Sequence, residues 1–447
     1  MSKVKKEVQE GDCELDLGVQ RRNALIYASV VAMNLGAAPV LSVGIVQAGL
    51  FKRLHVSDLI ANLPEAAYLS MAWSPIVLAW WFPQARFFRR LMGCSYSISA
   101  AMCALAAGVF MANARADLIV VVVIAHALVQ GCTNSINFTL NWELLRLGLS
   151  EKFRGDALAF AFGWGPGFAV LGSLGTQVLL NGGVFGWTPQ GWLKVVYPYN
   201  YALMFGLSSV AMGTAACLAQ QLRLPQQAED EPRQSFNRAI FGGLMAIIKH
   251  RVLMYACIAY LLVLSGNVVQ VNLSLFAREA IGGYSDAYVG YQLALQYSFK
   301  MAAGFFLGWL LTRTNPKAPL LVTVAMLMGG ILWTLVVPGY WSLLAFGLVG
   351  AGQLFGVYYV NYPATCSAKA DVRQNISLLV LLSSGVGLAP VFYGWVSDMW
   401  GLRVSLWAAF ALLGATAVLV LLRLPARPRA PDEAPVVPEP NATTLPC

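Results

Sequence analysis

The sequence predicts an all-α membrane protein of twelve transmembrane helices in two pseudo-symmetric six-helix bundles. Three observations predict it. Twelve apolar segments, each long enough to cross a bilayer, fill nearly all of the 447 residues; a helical span takes about 20 mainly apolar residues. The composition is 58% hydrophobic and 11% charged, with a mean hydropathy of +0.63, whereas a soluble domain carries about 25% charged residues. The bases are placed asymmetrically. Of 30 Lys and Arg, six fall in segments on one side (Lys52, Arg53, Arg115, Lys194, Arg278, Arg403), Lys300 lies inside a span, and the rest fall on the other side. The positive-inside rule makes that other side, and both termini, cytoplasmic. Helix is the expected form because it satisfies its own backbone in lipid, and the alternating strands of a membrane barrel are absent.

In order, residues 1–22 read as a polar cytoplasmic tail. The first span, 23–50, is too long for a cleaved signal and is retained. Spans at 63–82, 91–111, 118–144, 156–181 and 200–222 complete a bundle over 23–222. A cytoplasmic loop, 223–251, carries Pro225, Glu229, Asp230, Glu231 and Pro232, and 239–248 reads as a short helix along the membrane face. Spans at 252–276, 287–311, 318–338, 341–364, 375–396 and 404–423 form a second bundle over 252–424. The Pro-rich tail 425–447 is expected to be disordered.

Several function classes drop out. The formal charge of +9 follows from topology, so no nucleic-acid partner is expected. The eight cysteines are scattered, with no CxxC, and there are three His, so neither a disulfide frame nor a metal site is expected. No P-loop, HExxH or nucleophile elbow occurs. The chain therefore reads as a non-enzyme with no cofactor.

Polar residues inside spans are the informative ones, because lipid does not tolerate them. In the fourth span His126, Gln130, Thr133, Asn134, Asn137 and Asn141 fall within an arc of about 100°. Six polar groups there exceed what helix packing needs and favour a water-filled cavity. Gln292, Gln296 and Lys300 follow at i, i+4, i+8 in the eighth span. Lys300 lies near the membrane middle, where it pairs with carbonyls and amides, deprotonates on burial, or meets an anionic solute. The acids Glu65, Glu143, Asp156, Glu279, Asp286 and Asp398 all read as near span ends. His126 is a pH-responsive candidate or a hydrogen-bonded structural residue. Asn34 interrupts the first span; Asn267, Gln270 and Ser274 share a face of the seventh, with Asn272 pointing elsewhere; the tenth offers Gln353, Tyr358 and Asn361. Trp164 and Tyr358 suit a sugar or ring face, or simple packing.

The two sets of spans also resemble each other. Asn141-Trp142 is echoed by Asn361-Tyr362, and Gly163–Gly175 (GWGPGFAVLGSLG) by 385–395 (GVGLAPVFYGW). On these features the chain resembles the major facilitator superfamily over nearly its whole length. The superfamily loop signature Gly-x-x-x-Asp-Arg-x-Gly-Arg-Arg is similar to Gly308–Lys317, with Thr312 in place of Asp and Arg313 and Lys317 kept as bases, and to Gly394–Arg403, with Asp398 kept. FPQARFFRR (82–90) is a copy that lacks the acid, and His126-x-x-x-Gln130-Gly131 resembles the fourth-span pattern. Gly165-Pro166 with Gly172 and Gly175 resembles the fifth-span motif, and Gly304 with Gly308 forms a small-xxx-small pair, read as helix packing or sliding. The resemblance implies a secondary transporter that alternates access by rocking its bundles, with a cavity lined by the first, fourth, seventh and tenth helices. The expected cargo is a small polar organic solute, an organic anion in one version and a neutral sugar or polyol in another, driven by its own gradient or a coupled proton or sodium ion. A non-transporting receptor or lipid-handling protein on the same scaffold is the rival class. A monomer in a bacterial inner membrane is expected.

Overall fold

The computed structural model describes residues 15–82, 87–188, 195–224, 236–282, 288–367 and 372–428. The expected tail 1–14, the motif residues 83–86, the loop residues 225–235 and the tail from 429 lie outside these, as do Lys194 and Asp286. The described residues form twelve spans, and eight helical stretches are long and apolar enough to cross a membrane on length and composition. The other four are the first, second, fifth and eighth spans.

The first span is broken: Leu17–Gly36, Ala38–Leu41 and, after Ser42–Gly44, Ile45–Arg53. Gly44 has φ 144°, which a side chain rarely adopts. The second runs Asp58–Ser70, Met71–Trp73 and Ser74–Trp81. The third is Phe88–Met111 and the fourth Ala116–Leu147. The fifth passes from Glu151–Ala159 through a π-turn, Phe160–Trp164, into Gly165–Asn181, with Pro166 in the first turn, where its missing N–H is harmless. Tyr199–Ala219 is the sixth. The helix foreseen in the central loop is Phe236–Lys249; Phe241, Met245 and Ile248 form an exposed apolar stripe along it.

The seventh span is broken into Arg251–Asn267 and Gln270–Ile281. The eighth is Val289–Arg313 and the ninth Lys317–Val336. The tenth breaks at Gln353–Leu354, after Gly339–Leu343 and Leu344–Gly352 and before Phe355–Cys366. The eleventh is Val372–Ser383, Ser384–Gly387 and Leu388–Trp400, and the twelfth Leu402–Arg423. The first helix thus starts at Leu17, ahead of the expected 23, and the second at Asp58, ahead of 63.

Glycines allow the same close contact in both sets. The Cα of Gly131 in the fourth span lies against the Tyr68 carbonyl of the second, and that of Gly350 in the tenth against the Gln296 carbonyl of the eighth. In lipid, association rests on such packing and on interhelical hydrogen bonds.

Hydrogen bonds between the two sets cluster at the end of the molecule away from the termini, here the distal end. Asp398, at the end of the eleventh span, accepts from the backbone N–H of Asp58 (2.8 Å) and Leu59 (3.0 Å), the first turn of the second. Gln177 of the fifth span accepts from Gly290 (3.0 Å) and Tyr291 (3.3 Å), the first turn of the eighth. One side chain from each set therefore caps a helix of the other, satisfying orphan N–H groups that lipid cannot. Around Asp398, Lys52 forms an ion pair with Asp58, and Ser397 Oγ donates to Asp58 Oδ2 (2.6 Å). Asn62 Nδ2 donates to Asn272 Oδ1 (2.8 Å), and Asn272 Nδ2 donates to the Tyr393 carbonyl (3.0 Å). Arg278 Nη2 donates to the Ile45 carbonyl (3.2 Å). The fourth and tenth spans, by contrast, pack mainly on spans of their own set. The two sets are closed against each other distally.

A Cβ added to Gly394 would lie 2.7 Å from Leu59 Cα and 2.9 Å from the Asp58 carbonyl. Neither atom can move aside alone. Gly394→Val is expected to open the distal seam. With the native cysteines replaced, a cysteine at position 59 should then react with a membrane-impermeant maleimide several-fold faster than in the Gly394 parent; an unchanged rate would show that the seam does not depend on this contact.

Candidate functional site

The breaks in the first, seventh and tenth spans lie beside one polar layer. Gln270 begins the distal helix of the seventh span. Its Nε2 donates to Glu65 Oε1 of the second span (3.1 Å), and its Oε1 accepts from Gln296 Nε2 of the eighth (3.3 Å) and Gln353 Nε2 of the tenth (2.8 Å). One carboxamide thus joins four spans from both sets. Ser42, in the break of the first span, is 3.1 Å from the Tyr297 hydroxyl, one residue past Gln296. Asn134 Nδ2 donates to Tyr68 (2.5 Å), one turn past Glu65. Breaks of this kind are tolerated in a membrane where irregular backbone is buried in protein or lines a cavity.

Glu65 corrects the expectation that it sits near the end of its span. It stands seven residues beyond Asp58, roughly 10 Å along the axis. It is 4% exposed, and its Oε2 is buried with no hydrogen-bond partner. The missed signal was the helix start: Ser57 caps the span by accepting from Ile60 N–H (3.3 Å), so Ser-Asp at 57–58 marks the boundary. Lys300 is half-buried and has no hydrogen bond or ion pair with a described residue. It lies one turn past Gln296 on the stripe that reaches Gln270, toward the terminal end.

The fourth-span stripe does not line a cavity as a whole. His126 is 0% exposed, with Nε2 3.6 Å from Cys103 Sγ and the ring edge-on to Phe205, so it faces the third and sixth spans. Gln130 accepts from Ser99 Oγ (2.7 Å), Thr133 bonds its own helix, and Asn137 is buried with its Oδ1 unpartnered. His126, Gln130 and Thr133 thus bond or pack inside the first set. Asn134 alone of the stripe contacts the second span in the polar layer, and Asn141 is half-buried further on.

Other candidates divide similarly. Gln292 accepts from Ser274 Oγ (2.6 Å) inside the second set. Asn272, expected to point elsewhere, is a buried link of the distal seam. Asn267 is half-buried beside a small pocket with Gln270, Leu327, Val349 and Leu413. Tyr358 packs on Ala303, Leu307 and Leu354, and Asn361 is exposed. Asn34 is half-buried in the first span. Trp164 is 76% exposed and shares an i, i+4, i+7 stripe with exposed Phe168 and Leu171. It is not brought to the layer.

Of the residues tied to helix movement, Gly394 and Asp398 belong to the distal seam. Gly172 lies against the Gly36 carbonyl, and a Cβ on Gly165 would meet Leu35 (2.7 Å), so the fifth span rides closely on the first. Gly175, Gly304 and Gly308 face open space, so the packing role expected of the last two is not seen. Arg313 is exposed; Lys317 donates to the Leu421 carbonyl (2.8 Å) and Arg403 to that of Leu335 (3.5 Å).

Two sets of six spans, closed against each other at one end beside a polar layer, define a polytopic helical membrane protein. The particular fold is that of the major facilitator superfamily. A bacterial homolog of the human lysosomal transporter Spinster, inward-facing and unoccupied, is similar at a TM-score of 0.63 and 14% identity, covering 92% of this chain and 98% of that chain. The nucleoside transporter NupG is similar at 0.62 and 11%, covering 91% and 98%. The superfamily transporter FucP, in the outward conformation, is similar at 0.56 and 14%, covering 90% and 98%. No protein-family model matches the chain, and no curated protein matches it in sequence. The protein is an integral membrane protein with a transporter fold.

If His126 only packs the first set, His126→Leu leaves solute affinity within about twofold. Gln270→Ala removes a buried partner from three side chains and weakens affinity by more than about tenfold. Thermal-shift titration of both variants checks this; equal losses would return His126 to the site.

Proposed function

We propose that this protein is a secondary active transporter of a small polar organic solute, working by alternating access between bundles 23–222 and 252–424. Basic residues favour a cytoplasmic terminal end, so the closed distal end faces outside. The observation that carries this reading is the Gln270 hub: a polar layer drawn from both sets lies directly beneath a seam made of reversible hydrogen bonds. Gln270, Gln296, Gln353, Asn134 and Lys300 bind the solute, with Asn34, Asn267, Tyr358, Asn361 and Asn141 around the cavity. Gly165, Pro166, Gly172 and Gly394 let the helices shift, and Asp398 latches the outer side. A proton or sodium ion is the coupled ion, and the working unit is a monomer in a bacterial inner membrane. The distal caps are helix N-caps, each contributing about 1 kcal/mol, so a solute needs only modest differential affinity to shift the balance between states.

Reconstituted into liposomes, the protein is expected to speed counterflow of a labelled solute from a panel of sugars, polyols, amino acids, carboxylates and phosphorylated metabolites. Gln270→Ala should slow it by more than about tenfold. Folded protein that exchanges no member of the panel would contradict transport and favour a receptor.

A further inference from the structure

Glu65 and Lys300 are ionisable groups of opposite sign carried into the membrane interior, where a lone charge is costly. They form no ion pair with each other, and neither has another charge bonded to it among the described residues. Neither is paired with an opposite charge. Glu65 receives one donor, from Gln270, and keeps Oε2 buried and unpartnered. Beside that oxygen stands Gly44: a Cβ there would be 3.5 Å from Glu65 Oε2 and 3.8 Å from Gln270 Nε2. A glycine at a break in the first span therefore leaves the carboxyl unobstructed. Gln296, which donates to Gln270, has a second buried unpartnered acceptor, Oε1. Gln292 Nε2, one turn further out on the eighth span, is an unmet donor; two of the unmet groups here, Glu65 Oε2 and Gln296 Oε1, are acceptors. One turn of the eighth span away, about 6 Å along its axis, Lys300 presents up to three donors and no acceptor.

We propose that the layer binds a zwitterion, an α-amino acid or short peptide whose primary ammonium is held by Glu65 and Gln296 and whose carboxylate is held by Lys300. This rests on the transporter reading above and names its substrate class. The three N–H donors of an ammonium suit the two unmet acceptors, and a carboxylate suits the lysine. A plain anion would answer Lys300 and leave Glu65 unmet. A neutral polyol would leave both charges without a counter-charge. A zwitterion answers both and adds no net charge to the membrane interior.

The test uses the full-length protein in detergent, its thermal midpoint, and defined probes: the common L-amino acids, L-alanyl-L-alanine, glucose, xylose and succinate. A ligand that binds only the folded state raises the midpoint. A zwitterion is expected to raise it, and its N-acetyl and carboxamide derivatives to bind at least about tenfold more weakly. Glu65→Gln should erase the penalty for N-acetylation alone, and Lys300→Gln the penalty for amidation alone. If either variant fails to fold, the derivative series on the unaltered protein decides. Derivatives that bind as well as the parent overturn the proposal, as do sugars or succinate that shift the midpoint where no zwitterion does. In that second case the transporter reading survives, because a solute still binds the layer. No shift by any probe, together with no counterflow, would take down both.

Discussion

Lipid supplies no hydrogen bonds, so each polar side chain carried into the membrane must find its partner in protein, water or solute. That constraint sorts the interior of this molecule into two kinds of contact. Some partners lie within one set of spans: Ser99 with Gln130, and Ser274 with Gln292. These hold a bundle together and have no reason to break. Others lie across the two sets: Asp398 and Gln177 on opposing helix starts, Asn62 on Asn272, and Glu65 on Gln270. These are the contacts a rocking motion must exchange for water, and water can replace each of them.

The crossed caps repeat between the halves. The fifth span caps the eighth through Gln177, and the eleventh caps the second through Asp398. The chemistry differs, an amide in one and a carboxylate in the other, but the position is alike. Gly131 on Tyr68 and Gly350 on Gln296 repeat in the same way. A sequence that keeps positions while changing residue types retains a two-fold architecture with little sequence identity. Beside the helix breaks at Ser42–Gly44, Val268–Val269 and Gln353–Leu354, side chains from three spans converge on the carboxamide of a fourth, Gln270.

Much of this was legible in the sequence. Apolar length foresaw the twelve spans, and the apolar run 239–248 the helix between the halves. The retained acid of Gly394–Arg403 pointed to Asp398, and the i, i+4 spacing put Gln296 and Lys300 on one face. Periodicity defines a polar face but not what it meets, so the fourth-span stripe was read as cavity when His126 and Gln130 face the third and sixth spans. Hydropathy trimmed the second span to its apolar part and left Glu65 near an end; the Ser57 cap sets the true start. Gly304 and Gly308 have packing spacing but no partner helix against them.

The most direct measurement is a pair of spin-label distances in liposomes. Labels at positions 111 and 336 report the separation of the two sets at the distal end, and labels at 90 and 313 report it at the terminal end. Alternating access predicts two populations at each end that exchange in opposite directions, distal distances lengthening as terminal ones shorten. A single fixed distance at both ends, under every solute and ion gradient applied, would contradict it.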